Sequence, residues 1–135
     1  MKEHNEKVIV IEIPMLPPKQ ASPNWRGHWA AKYRAMRNYK EATYLMAKAS
    51  LRGRDFQPLD RAIIRPTFVV PNRRYIMDPD NALASLKSAI DGLQAARIIA
   101  NDRNVVILPV TYRIDTTTES KIILEIEATI SNDQS

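Results

Sequence analysis

The placement of the prolines most constrains the fold of this chain of 135 residues. Four of its nine prolines lie between residues 14 and 23. Because proline fixes φ and lacks a backbone donor, we expect this segment to be a loop or an extended arm. Residues 27–51 contain no proline and are rich in Ala, Lys, Arg and Met, which predicts one long helix.

β-Branched and other apolar residues predict four strands, at residues 7–13, 62–70, 105–114 and 121–130. Pro66 lies inside the second strand and indicates an edge position or a bulge there. The last two strands are joined by a polar turn at residues 115–120, and we expect them to pair as a hairpin.

A second helix is predicted at residues 79–97. Leu83, Leu86, Ile90 and Leu93 recur there at three- and four-residue spacing and form a stripe that we expect to be buried. The predicted order is therefore β-α-β-α-β-β: a single α+β domain over residues 1–135, with a mixed β-sheet and two main helices.

The composition narrows the functional classes. The chain has no cysteine, which removes disulfides, thiolate metal sites and cysteine nucleophiles. Its start is polar and no apolar run approaches the ~20 residues that span a bilayer, so we expect a cytoplasmic protein with no membrane partner. Lys and Arg total 20 against 15 Asp and Glu, a net charge of +5, and bases cluster in two segments, which indicates phosphate binding. The clusters are Arg26, Lys32, Arg34, Arg37 and Lys40, and Arg61, Arg65, Arg73 and Arg74.

Acidic residues gather around the second helix of this basic chain. They are Asp78, Asp80, Asp91 and Asp102, with Lys87 among them. Clustered carboxylates repel one another unless a cation lies between them, and Mg²⁺ prefers such oxygen ligands. If residues 79–97 form one continuous helix, Asp80, Lys87 and Asp91 project within about 40° of one another, beside the apolar stripe.

Each acid also has a purely structural explanation. Asp78 is a suitable N-cap with Pro79 in the first turn, where Asp80 is favoured by the helix dipole. Lys87 and Asp91 are spaced as a surface ion pair, and Asp102 suits a turn. To explain the whole pattern without a ligand, all of these separate structural explanations would have to hold together. The pattern therefore favours a ligand site.

The sequence resembles the RusA family of Holliday-junction resolvases over roughly residues 8–115. The resemblance lies in two sets of residues, one acidic and one near the N-terminus. They are Asp78-Pro79-Asp80-Asn81, Lys87, Asp91-Gly92-Leu93, Asp102 and Val105, and Pro17-Pro18, Ser22-Pro23-Asn24 and His28-Trp29. The resemblance implies a bacterial or phage-derived endodeoxyribonuclease that cuts branched DNA as a homodimer.

Position by position, the resemblance assigns metal binding to Asp78, Asp80 and Asp102. Lys87 matches the functionally important lysine of the family, and Asp91 matches a family aspartate. The implied cofactor is Mg²⁺, with Mn²⁺ as a substitute. Two features depart from the family: Asn101 stands where an acid is common, and Lys87 follows Asp80 by seven residues where some members have four.

In the chemistry implied, Mg²⁺ activates water and polarises the phosphate. Lys87 contacts the scissile phosphate or orients the water, and Asp91 holds Lys87 or completes an outer shell of the metal site. We expect five basic side chains to contact the DNA backbone: Arg26, Lys32, Arg34, Arg73 and Arg74. Trp25 and Trp29 are interpreted as core anchors, with stacking on exposed bases as the alternative, and His28 as a helix-start residue. Two further functions stay open: a non-catalytic DNA-binding protein, and a metal-dependent nuclease for a different DNA structure.

Overall fold

A computed structural model describes residues 8–129 of the chain. The main elements within these residues are β1 Val8–Ile13, α1 Trp29–Ser50, β2 Ala62–Val70, α2 Pro79–Ala84, α3 Lys87–Ala95, β3 Val105–Ile107, β4 Thr111–Ile114 and β5 Lys121–Ala128. The α+β class with a mixed sheet is confirmed. The observed order is β-α-β-α-α-β-β-β, because the second predicted helix and the third predicted strand are each divided in two. Residues 7 and 130, the outer ends of two predicted strands, lie outside the described residues.

The sheet has β5 between β1 and β2, antiparallel to both. On its other side β2 pairs in parallel with β3 and β4. The predicted hairpin between the last two strands is therefore wrong: after β4 the chain crosses to the far side of β2. A central place suits β5 because its alternate side chains, Ile122, Leu124 and Ile126, are fully buried.

Pro66 lies in a central strand, so the predicted edge position is wrong, whereas the predicted alternative, a bulge, corresponds to an irregular pairing opposite Pro66. Ile64 pairs with Ile107 and Thr67 pairs with Thr111, so the strand facing Pro66 has one residue more than β2 over this interval. The Ile64 carbonyl points toward this irregular interval, since it accepts a hydrogen bond from the Leu108 amide. Backbone groups alternate sides along a strand, so the nitrogen of Pro66, two residues further on, points to the same side. The missing donor thus falls where β3 ends and β4 has not begun.

The second predicted helix breaks at Ser85 and Leu86. The Ser85 hydroxyl donates to the Ala82 carbonyl at 2.7 Å, and the Leu86 amide bonds to the Leu83 carbonyl, three residues back. The break changes which side chains are buried: Leu86, Ile90 and Leu93 lie in the core as predicted, whereas Leu83 is 44% exposed. Leu83 belongs to α2, which no longer continues the apolar stripe of α3.

The core lies between the helices and one face of the sheet. The sheet contributes alternate residues such as Ile11, Ile64 and Leu124, and α3 contributes Leu93. The other sheet face bears two cross-strand ion pairs, Arg65–Glu127 and Lys121–Glu12. No helix in the described part of the chain is long and apolar enough to cross a membrane.

α1 and α3 run in the same direction. Tyr33 borders the same depression as Ser88, near the start of each helix, whereas Lys48 borders the same depression as Arg97, at their ends. Tyr39, on the buried side of α1, donates a hydrogen bond to the Met15 carbonyl at 2.9 Å and so ties α1 to the proline-rich segment. Burial raises the pKa of the Tyr39 hydroxyl far above its ordinary value, which keeps this group a donor.

Candidate functional site

The acidic motif begins at the N-cap of α2. One Asp78 carboxylate oxygen accepts from the Asn81 amide at 3.0 Å, and the other accepts from the Asn81 side-chain amide at 2.8 Å. Pro79 occupies the first turn and Asp80 is exposed beside it. Asp78 is therefore the N-cap of α2, as its structural explanation predicts. One of its oxygens caps the backbone, and the other is engaged with the Asn81 side chain.

The sheet fixes the segment that leads into this cap. The Tyr112 hydroxyl, on β4, accepts a hydrogen bond from the Met77 amide at 3.2 Å. The Tyr112 ring packs edge-on against Phe68, with ring centroids 5.5 Å apart, and Phe68 is fully buried. Because Met77 directly precedes Asp78, the core holds the start of α2 through one aromatic residue.

Lys87 and Asp91 lie on successive turns of α3. The Lys87 ammonium is 3.5 Å from an Asp91 carboxylate oxygen, and the two side chains are 63% and 38% exposed. The predicted pair is formed. Its predicted common face with Asp80 assumed one continuous helix, whereas Asp80 lies in α2 and the pair lies in α3, after the break at Ser85 and Leu86.

Asp102 lies in a short 3-10 turn, Asp102–Asn104, that precedes β3. Asn101 caps this turn, since its side-chain oxygen accepts from the Arg103 amide at 2.8 Å. Asp102 and Lys87 border one depression of about 400 Å³ whose remaining wall is apolar and includes Leu83 and Val105. The fold therefore brings Lys87 and Asp102 together from separate segments, whereas Asp78 and Asp80 do not border this depression.

The described residues do not form a preassembled three-ligand metal centre. Within residues 8–129 no three His, Asp or Glu side chains are grouped so that they could hold an ion. The Asp78 oxygens are engaged with Asn81, so Asp80 and Asp102 are the open carboxylates of the predicted set. Mg²⁺ commonly binds through one or two carboxylates, with water and substrate phosphates completing its shell. The donor set fits a site of that kind and not an all-protein cage.

The basic residues that are predicted to contact DNA lie in two segments. Arg73 and Arg74 form the exposed 3-10 turn between β2 and Asp78, where the Asn72 side chain accepts from the Arg74 amide at 2.9 Å. The others, Arg26, Lys32 and Arg34, lie at or just before the beginning of α1. Because the beginnings of α1 and α3 are adjacent, both segments lie near the acidic motif in the sequence or in the fold.

The aromatic residues before α1 differ in their environments. Trp29 is 73% exposed, so its interpretation as a core anchor is wrong; the buried side of α1 begins further along, at Tyr39. Trp25 is partly buried and lies against Gly27, where an added Cβ would meet the indole ring. His28 is the N-cap and accepts from the Ala30 amide at 3.1 Å, which confirms its helix-start role. The Trp29 ring is accessible for stacking.

Comparison with protein-family models gives no match to this chain, and comparison with curated proteins gives none either. The resemblance to the RusA family thus depends on the residues quoted above and stays a prediction.

A set of basic residues that was not among the predicted site residues lies at the carboxyl end of α1. They are Lys48, Arg52, Arg54 and Arg97, and they border a single depression. Three of them lie within seven residues of one another, and this spacing could have indicated a basic cluster from the sequence alone. Arg97 comes from a different segment, and only the direction of α3 relative to α1 brings it there.

Proposed function

We propose that this chain is a metal-dependent endodeoxyribonuclease that resolves four-way DNA junctions by paired symmetric nicks in recombination and repair. The observation that supports it best is the depression bordered by Lys87 and Asp102, with Asp91 beside the Lys87 ammonium. An ammonium and a carboxylate at one site suit phosphodiester hydrolysis, and the net charge of +5 suits a polyanionic substrate. The proposal places the protein in the cytoplasm of a bacterium.

The proposed roles follow from where each side chain lies. Bound Mg²⁺ would lower the pKa of a coordinated water and neutralise phosphate charge. Asp80 and Asp102 are the open carboxylates that would hold the ion, and Asp78 keeps the beginning of α2 in place. Lys87, largely exposed, would donate to a phosphate oxygen, and Asp91 would orient it.

The proposed assembly is a homodimer. A four-way junction has approximate two-fold symmetry, and its resolution needs two opposed cuts. A dimer with two-fold symmetry presents two equivalent sites to the two strands.

The deciding experiment incubates the protein with a synthetic four-way junction and with a linear duplex of the same arm sequence. We expect paired nicks in the junction when Mg²⁺ or Mn²⁺ is present, none in EDTA, and little cutting of the duplex. Equal cutting of the linear duplex would contradict the junction specificity and favour a nuclease for a different DNA structure.

A second candidate is a non-catalytic DNA-binding protein. It is favoured by one observation, the absence of a three-ligand acidic cluster within residues 8–129. Tight junction binding with no nick at any Mg²⁺ or Mn²⁺ concentration would select this function over the nuclease.

A further inference from the structure

A depression of about 600 Å³ lies at the ends of α1 and α3, away from the acidic motif. Its charged lining residues are Lys48, Arg52, Arg54 and Arg97, and no acidic residue among residues 8–129 lines it. Apolar side chains complete the wall, among them Leu45, which is 57% exposed although it is a large hydrophobic residue. The depression thus combines four cations with an apolar surface.

None of these four cations is neutralised by an ion pair within the described part of the chain. Lys48 lies over the Tyr44 ring at 6.0 Å, and Arg54 donates to the Ser50 carbonyl at 3.4 Å, so two of the cations are oriented by neutral groups. Like charges that share one depression repel each other, and the repulsion is relieved when an anion enters. The chemistry of the lining therefore calls for an anionic ligand.

Arg97 has a backbone conformation that is unusual for its residue type. Its φ is +65°, in the left-handed region, just after the end of α3. Glycine is the residue most often found at this position, because a side chain there is strained. An arginine is nevertheless placed where its side chain borders the depression, and such local strain is commonly associated with a binding role.

We propose that this depression binds the phosphate backbone of a DNA strand, as a second contact region in addition to the one at the acidic motif. Arginine suits this ligand because its planar guanidinium can donate two parallel hydrogen bonds to one phosphate. The apolar wall would lie against the sugars. This inference requires DNA binding but not cleavage, so it rests on only that part of the proposed function.

The geometry also gives a spacing. At about 1.5 Å of rise per residue, Lys87 and Arg97 are about 15 Å apart along α3 and its end. Two smaller depressions between α1 and α3 share Lys40 and Asp91 and lie between these positions. For a duplex whose axis lies parallel to α3, at about 3.4 Å of axial rise per base pair, the two contacts are about four base pairs apart along the axis.

The test measures the affinity for a labelled DNA junction in EDTA, where cleavage does not interfere, over a range of salt concentrations. The variant combines Arg52→Gln with Arg97→Gly and is called the pocket variant, after the depression that both residues border. We expect the slope of log affinity against log salt to fall by about 1.8, since each lost phosphate contact removes about 0.9. The affinity at moderate salt should fall by on the order of tenfold. Glycine relieves the backbone strain at position 97, so the variant's Tm should not fall because of that change.

The matched control combines Lys19→Gln with Arg113→Gln, two exposed bases outside the depression, and makes the same change in net charge. A slope that is unchanged in the pocket variant, or reduced equally in the control, would overturn the proposal. A second arm adds inorganic phosphate. If millimolar phosphate raises the Tm of the unchanged protein but not of the pocket variant, while the two proteins bind the junction with equal salt slopes, the site binds free phosphate and the proposal of a DNA contact is wrong.

Cleavage by the same proteins separates this inference from the proposed function. A pocket variant that binds junctions as tightly as the unchanged protein and cuts them would overturn only the second contact. Pocket-dependent binding by a protein that never cuts would contradict only the nuclease.

Discussion

Gly92 on α3 lies directly against the backbone of Lys40 on α1. A Cβ built at Gly92 would be 2.6 Å from the Lys40 carbonyl oxygen and 2.9 Å from the Thr43 Cβ. Real side chains essentially never approach backbone this closely, so only glycine allows the two helices to lie at this distance. The contact sets the position of α3 against α1. It thereby positions Lys87 and Asp91, near the beginning of α3, and Arg97, just after its end.

Gly92→Ala should therefore destabilise the protein although alanine is the better helix former. Overpacking of a well-packed contact typically costs about 1–3 kcal/mol, and urea unfolding followed by circular dichroism would measure it. Ala95→Ser, on the exposed side of the same helix, should change the stability by no more than about 0.5 kcal/mol. A Gly92→Ala protein that is as stable as the original would show that the helices can separate without cost.

Two substitutions at Asp78 should separate its structural role from its charge. Asp78→Asn keeps a side chain that caps helices as well as aspartate does, so we expect nearly unchanged stability. Asp78→Ala removes the cap and should cost about 1 kcal/mol. If both variants fail to cut junctions although only the alanine variant is destabilised, the carboxylate charge is needed for cleavage. Normal cutting by Asp78→Asn would leave Asp78 with capping alone.

Asp80→Asn should abolish cleavage while keeping the fold and the affinity for junctions. Asp80 is exposed and no hydrogen bond to its side chain is found among the described residues, so stability should change little. Losing one negative charge should leave binding to a polyanion equal or slightly tighter. Asp60→Asn, another exposed aspartate just before β2, is the control and should cut normally. Normal cutting by Asp80→Asn would remove Asp80 from the proposed metal site.

Lys87→Ala should slow cleavage by about 10²-fold with little loss of junction affinity. One ammonium among many basic groups adds little to binding, but beside a scissile phosphate it is worth on the order of 3 kcal/mol. As a mere surface partner of Asp91 it would contribute only a few tenths of a kcal/mol to stability. Single-turnover cleavage at saturating protein measures the difference, with Lys19→Ala as control. A rate within about twofold of the original would assign Lys87 the surface role.

Much of the secondary structure could be predicted because it depends on local rules. Residues 62–70 were predicted as a strand with the bounds that the structure has, since β-branched residues dominate there. His28 and Asp78 begin helices because their side chains bond the backbone two or three residues on. The pairing of β5 was predicted wrongly because it depends on burial between β1 and β2, which adjacency in the sequence does not indicate.

The residues of the proposed site could be picked out one by one from the sequence, but their arrangement could not. The acids and Lys87 were found from their types, whereas their directions followed from assuming a continuous helix. The helix is interrupted at Ser85, whose hydroxyl donates to the Ala82 carbonyl. Serine forms such a hydrogen bond to its own helix in some contexts only, so the sequence does not predict it. Arg97 could not be placed beside Lys48, because the relative direction of two helices depends on the tertiary fold and not on periodicity.

The shared direction of α1 and α3 also gives this pair of helices an electrical polarity. The peptide dipoles of each helix leave roughly half a positive charge at its amide end and half a negative charge at its carbonyl end. In a parallel pair the like ends coincide, so two carbonyl ends meet where Lys48, Arg52, Arg54 and Arg97 gather. Together they provide about one negative charge against four positive ones. The helix ends therefore offset part of the repulsion among these cations in the free protein, while most of their positive charge stays available to a ligand.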